Sequence, residues 1–128
     1  MMKIKEIVEL LSATIHYEPQ EYDVDIVYAG ASDLMSDVLA YMNGMPTHVS
    51  KGMILITGLV NLQVIRTVTL MDISMVIFTR GKILTEKIIE EAKNINIPIL
   101  STTLTSYTAC GLLYSAGILG VEREKSRE

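Results

Sequence analysis

Four short segments of this chain carry residue types that can hold an anion: Gly30-Ala31-Ser32, Thr57-Gly58, Thr79-Arg80-Gly81 and Ser101-Thr102-Thr103. Glycine lets a backbone N–H approach a ligand closely, because no Cβ stands in the way. Serine and threonine hydroxyls donate or accept at short range. Arginine adds a planar fork that matches a carboxylate or phosphate. Each segment follows an apolar run and precedes a helical pattern, so helix N-terminal N–H groups point toward the same region. Gly30, Ser32, Thr57, Gly58, Thr79, Arg80, Gly81 and Ser101 are therefore the candidate ligand-binding residues. The same residue types are ordinary in turns and helix caps, so the chemistry depends on whether these loops converge.

Other chemistries find less support. No G-x-x-x-x-G-K-[ST] sequence is present, so no phosphate loop cradles a nucleoside triphosphate. His16 and His48 stand far apart without ligand-spaced partners, and read as filler rather than zinc ligands. Asp33 and Asp37 lie one helical turn apart, and Asp23 and Asp25 alternate before an apolar run. Both pairs read as solvated carboxylates before they read as a divalent-ion site. Cys110 sits among Ala109, Gly111, Leu112 and Leu113 with no adjacent His or Lys to lower its pKa, so it reads as a small core residue. No catalytic residue, metal or cofactor is assigned.

The elements that must position these loops follow from hydrophobic spacing. Ile4, Ile7, Val8 and Leu11 form the apolar stripe of a helix over residues 3–12. A short strand is expected over 14–17 and another over 26–29. Ser32 is the expected cap of a helix over 33–42, and 43–52 reads as a loop punctuated by Gly44, Pro46 and Gly52. The pattern then repeats: strand 53–56 and helix 61–71, strand 75–78 and a helix capped by Thr85, strand 98–100 and helix 105–116 stopped by Gly117. Alternating strands and helices joined by short loops predict a mainly parallel sheet with right-handed crossovers. In such sheets ligands bind at the carboxyl ends of the strands, where the four segments fall.

Composition agrees. The 128 residues are one domain's worth and can bury a core without a disulfide or metal staple. Nearly half are apolar, mostly Ile, Leu, Val and Met, as suits a buried parallel sheet under helices. The net charge of −4 leaves no basic footprint for nucleic acid. The single cysteine forms no internal disulfide and fits a reducing compartment. Every apolar run is far shorter than the roughly 20 residues a membrane-crossing helix needs. Lys3, Glu6 and Glu9 interrupt what would be a signal-peptide core. The expectation is a cytoplasmic protein: one α/β domain over 1–121 and a charged tail over 122–128.

The ordered set of motifs resembles the DRTGG domain. Gly30-Ala31-Ser32-Asp33-Leu34-Met35-Ser36 leads into one helix, and Ile54-Leu55-Ile56-Thr57-Gly58 into the next, which runs on as Asn61-Leu62-Gln63-Val64-Ile65-Arg66-Thr67. Val76-Ile77-Phe78-Thr79-Arg80-Gly81 and Ile97-Pro98-Ile99-Leu100-Ser101 follow. The DRTGG domain is an accessory part of some CBS-containing inorganic pyrophosphatases and some phosphate acetyltransferases. It is related to the N-terminal domain of HPr kinase/phosphorylase, and short stand-alone versions also exist. The resemblance implies a three-layer α/β/α fold and a regulatory role. This chain departs from the pattern twice. Leu59-Val60 stand where the family has Asp-Arg, and the family's Thr-Gly-Gly reads Thr79-Arg80-Gly81.

The expected function is a non-catalytic regulatory or ligand-sensing module that binds a small anionic ligand or nucleotide and a partner protein. Two alternatives stay open: a small enzyme acting on a phosphorylated or acylated metabolite, and an assembly subunit of a larger complex. A homodimer is also expected, because so apolar a small domain cannot hide all its apolar surface. The segments expected at the interface are 59–62 and 39–45.

Overall fold

In the order of the chain, α1 (Ile4–Leu11), β1 (Thr14–Tyr17), β2 (Tyr28–Ala31), α2 (Met35–Met42), α3 (Thr47–Ser50) and β3 (Met53–Thr57) form the first half. The second half is α4 (Leu62–Met71), β4 (Met75–Phe78), α5 (Glu86–Ile95), β5 (Ile99–Ser101), α6 (Ser106–Ser115) and β6 (Leu119–Gly120). These elements come from a computed structural model that describes residues 1–122. The expected tail falls, from residue 123 onward, outside the described residues.

The centre of the sheet is β3 and β4, in which every residue is buried. Strands covered on both faces read as unbroken apolar runs, and these two do. Their side chains divide between two cores by simple alternation. Met53, Leu55, Val76 and Phe78 pack under α2, α4 and α5. Ile54, Ile56, Met75 and Ile77 pack under α1 and α6. The result is the expected three-layer α/β/α arrangement.

The strand order is β1-β5-β4-β3-β2-β6. All neighbours are parallel except β1, which runs antiparallel to β5 along one edge. The chain steps across the sheet from β2 to β5 with α2, α4 and α5 on one face. It then returns over the other face through α6 to β6, beyond β2. The carboxyl ends of β2, β3, β4 and β5 thus line up along one edge.

Helix ends follow local chemistry. Asn61, Thr85 and Thr105 each cap a helix through a side-chain oxygen that accepts a backbone N–H. Asp72 and Asn96 close α4 and α5 in the left-handed conformation.

Four expectations shift. Ile26 is buried but stands outside the main ladder, exchanging backbone hydrogen bonds with Met2. The strand instead begins at Tyr28, opposite Met53, so Gly30 and Ala31 belong to β2 rather than to a loop. The N-cap of α2 is Leu34, without a side-chain cap bond, and Ser32 forms a turn on Leu34. The expected loop 43–52 contains the short helix α3, and Leu119-Gly120 add a sixth strand on β2. Among the described residues, no helix is long and apolar enough to cross a membrane.

Candidate functional site

Three of the four segments meet at the carboxyl edge, and the residue that joins them is Asp33. It follows β2 and reaches over the end of β3. Its Oδ1 accepts the Gly58 N–H at 2.6 Å and lies 3.4 Å from Thr57 Oγ1. Its Oδ2 lies 3.4 Å from the Arg80 guanidinium. Lys82, from the same loop as Arg80, donates to the Gly58 carbonyl. One acidic and two basic side chains therefore surround a single glycine peptide.

Electrostatics follow from these contacts. The Gly58 N–H, together with Arg80 and Thr57, holds the Asp33 carboxyl below its usual range, against a modest desolvation cost. Asp33 and Arg80 are both about half exposed, so their pairing alone contributes little to stability. What the pair does is hold Arg80 in place. With Asp33 neutralising one of two cations, the junction keeps a net positive charge.

The backbone beneath Arg80 is unusual. Arg80 and Gly81 both have positive φ, 67° and 64°, the left-handed region that glycine enters without cost. The Arg80 N–H donates to the Leu104 carbonyl and the Gly81 N–H to the Thr102 carbonyl, at 2.8 and 2.9 Å. Thr102, buried, supports that loop: its Oγ1 donates to the Leu11 carbonyl and accepts the Leu104 N–H. The turn carrying Arg80 is thus braced against the segment after β5.

Thr57, Gly58 and Arg80 come together, and Ser32 stands beside Asp33. Gly81 belongs to the same turn but faces Thr103. Thr79 is buried, and its hydroxyl pairs with Ser106 Oγ at 2.7 Å, at the start of α6 rather than in the cleft. Ser101 is still within β5, and its Oγ is 2.7 Å from His16 Nε2 on the antiparallel edge strand. Gly30 lies inside β2, its Cα facing the Tyr41 hydroxyl and Met53. Sequence reasoning missed Asp33, read as a solvated helix carboxylate, and Lys82. The available signal was that each is a charged residue in a loop following a strand's carboxyl end.

Among the described residues, no group of three or more His, Cys, Asp or Glu is placed to hold a metal ion. A cavity of about 190 Å³ opens beneath α6, next to the ends of β2 and β3.

Comparison with known proteins fits this architecture. The model of the DRTGG domain family matches residues 6–116. The crystal structure of the CBS and DRTGG domains from the regulatory region of Clostridium perfringens pyrophosphatase, in complex with the activator diadenosine tetraphosphate, is similar at a TM-score of 0.70. Sequence identity is 25%, over 87% of this chain and 45% of that one. This chain therefore spans less than half of that regulatory region. No curated protein matches the chain.

Proposed function

The chain belongs to the DRTGG domain family, and from that premise we propose that it is a non-catalytic regulatory module that senses a small anionic ligand or nucleotide. The observation that carries this reading is the junction of Asp33, Gly58, Arg80 and Lys82 at the carboxyl edge of the sheet. Two cations from the loop after β4, a glycine from the loop after β3 and a carboxylate from the loop after β2 are brought together there. An anion replacing the Asp33 carboxylate would meet the same guanidinium and the same Gly58 N–H, so the internal carboxylate acts as a stand-in for the ligand. Such an exchange moves the loop after β2 relative to those after β3 and β4, which is how occupancy would be transmitted. The similar pyrophosphatase domains belong to a regulatory region, which supports the role.

The same geometry disfavours catalysis at this junction. General acid–base chemistry near neutral pH calls for a group that titrates there. The Asp33 carboxylate titrates below that range, and both its oxygens are already engaged by Gly58, Thr57 and Arg80. The small-enzyme reading has one observation in its favour, the 2.7 Å spacing of Ser101 Oγ and His16 Nε2, which suits a nucleophile and its base. Neither residue lines the cavity beneath α6 or belongs to the junction of Asp33, Gly58, Arg80 and Lys82. Binding of a partner protein, self-association as a homodimer and a cytoplasmic location complete the proposal.

Calorimetric titration with inorganic pyrophosphate tests the anion reading. Wild-type protein should bind, and Arg80→Ala combined with Lys82→Ala should abolish binding while the fold persists. No binding to wild type, or equal binding to the double variant, would sink it.

A further inference from the structure

The cavity beneath α6 owes its existence to two small residues. On the face of the sheet that α6 covers, β3 presents Ile54 and Ile56 and β4 presents Met75 and Ile77. The neighbouring strand β2 presents Ala29 there, and by alternation Ala31. Gly30 between them faces the opposite layer, toward Met53 and Tyr41. The missing side-chain volume leaves a cavity of about 190 Å³, bounded by Ile56, Leu113 and Ile118, with Cys110 and Tyr114 on α6 at its side. A cavity of about 150 Å³ with apolar walls holds a benzene ring, so this one is the size of a single flat ring system.

Its rim is not apolar. β6 pairs only with Tyr28 and Ala29 of β2. The carbonyls of Val27 and Ala29 accept N–H groups from Leu119 and Val121. Ala31 lies two residues further on, so its N–H and carbonyl face the same side. Among the described residues nothing pairs with them there. An aliphatic tail would leave that peptide edge without a partner, whereas a heteroaromatic ring carries donors and acceptors in its own plane.

The cavity also adjoins the anion junction. Ile56, in its wall, precedes Gly58 by two residues, roughly 7 Å of strand. Ala31 precedes Asp33 by two residues. A ring in the cavity and a phosphate at Gly58 are therefore separated by about the length of a sugar.

We propose that the ligand is a nucleotide whose base lies in the cavity between α6 and the Ala29–Ala31 edge, and whose phosphate replaces Asp33 at Gly58, Arg80 and Lys82. This rests on the anion reading above and adds the base site, with Ala31 and Tyr114 as its distinguishing residues. Tyr114 is largely exposed and free to close over the ring.

The experiment titrates AMP, GMP, UMP and CMP, and separately inorganic pyrophosphate, into wild-type protein and the Ala31→Leu variant. Ala31 is exposed, so a leucine there fills the cavity without entering the core. At least one mononucleotide should bind wild type tenfold or more tightly than pyrophosphate. Ala31→Leu should remove that advantage and leave pyrophosphate binding unchanged. The methyl resonances of Ile118, in the cavity wall and outside the loops of the junction, should shift with the nucleotide and not with pyrophosphate, a readout that needs no variant. If pyrophosphate binds wild type but no nucleotide binds better, or Ala31→Leu spares the nucleotide, the base site is wrong and the anion reading survives. If neither pyrophosphate nor any nucleotide binds, both fall together.

Discussion

The guanidinium of Arg80 occupies the space that a side chain at Gly58 would need: a methyl group there would overlap it directly. Gly58 has ordinary backbone freedom, so the glycine serves close approach rather than a special turn. Gly58→Ala is expected to evict Arg80 from its seat beside Asp33. The displaced group is the end of a flexible side chain, so the fold should survive with little change in thermal midpoint. Affinity for pyrophosphate should fall by about 1.5–3 kcal/mol, the range for a hydrogen bond to a charged group. Calorimetry with a parallel melting curve checks both parts, and unchanged affinity would remove Arg80 from the site.

Arg80 itself holds a position its backbone does not favour. Its φ of 67° is left-handed, and the family's Thr-Gly-Gly has glycine at the corresponding place. A side chain there costs about 1–2 kcal/mol. Glycine's extra unfolded-state entropy offsets about 0.4–1 kcal/mol of the gain. Arg80→Gly should therefore be more stable than Arg80→Ala by about 0.5–1 kcal/mol, although both lose the guanidinium equally. Urea unfolding of the two variants decides it. Equal stability would mean that the turn relaxes and stores no strain.

Much of this fold is legible in the sequence because its central strands are buried on both faces. The runs 53–56 and 75–78 announce themselves by continuous apolar character, and Thr85 caps a helix where the pattern predicts. The edges are harder to read. Gly30-Ala31 and Leu119-Gly120 have little strand preference of their own and are drawn into the sheet by their neighbours. The site is harder still, because its bonds span the chain. Asp33 meets Gly58 from 25 residues away, and Ser101 meets His16 from 85. Local spacing holds no trace of either. The loops could be placed on one edge from topology, but not the carboxylate that ties them.

Asp33 makes the junction sensitive to acid. The Gly58 N–H, with Arg80 and Thr57, favours its ionised form in the folded protein, so its pKa lies below the ordinary 3.8. A group with a depressed folded pKa contributes stability that is present above its unfolded value and lost as pH falls through the folded one. Asp33→Asn keeps an oxygen for Gly58 but removes the charge. The wild type should unfold at higher urea than Asp33→Asn near neutral pH, and the gap should close well below pH 3.8. A gap independent of pH would show that the charge contributes nothing there.

Self-association is the last expectation to test, and the structure changes where to look for it. Met42 is buried in its own subunit and is unavailable to a second copy. Leu59, Val60 and Leu62 are half-buried against their own core. The large apolar side chains that face outward lie elsewhere, among them Leu70, Ile83, Tyr107 and Tyr114. Exposed apolar surface on a small domain is a common mark of an interface, and two-fold pairing is the default for soluble oligomers. Light scattering at micromolar concentration should therefore give twice the 14.2 kDa chain mass. A charge at Val60 should lower stability more than it shifts that mass, because Val60 packs inward. A charge at Tyr107, which is 89% exposed, should leave stability unchanged. If the mass stays at that of one chain as concentration rises, the dimer is excluded. If Val60→Lys splits a dimer without destabilising the subunit, the interface lies at 59–62 after all.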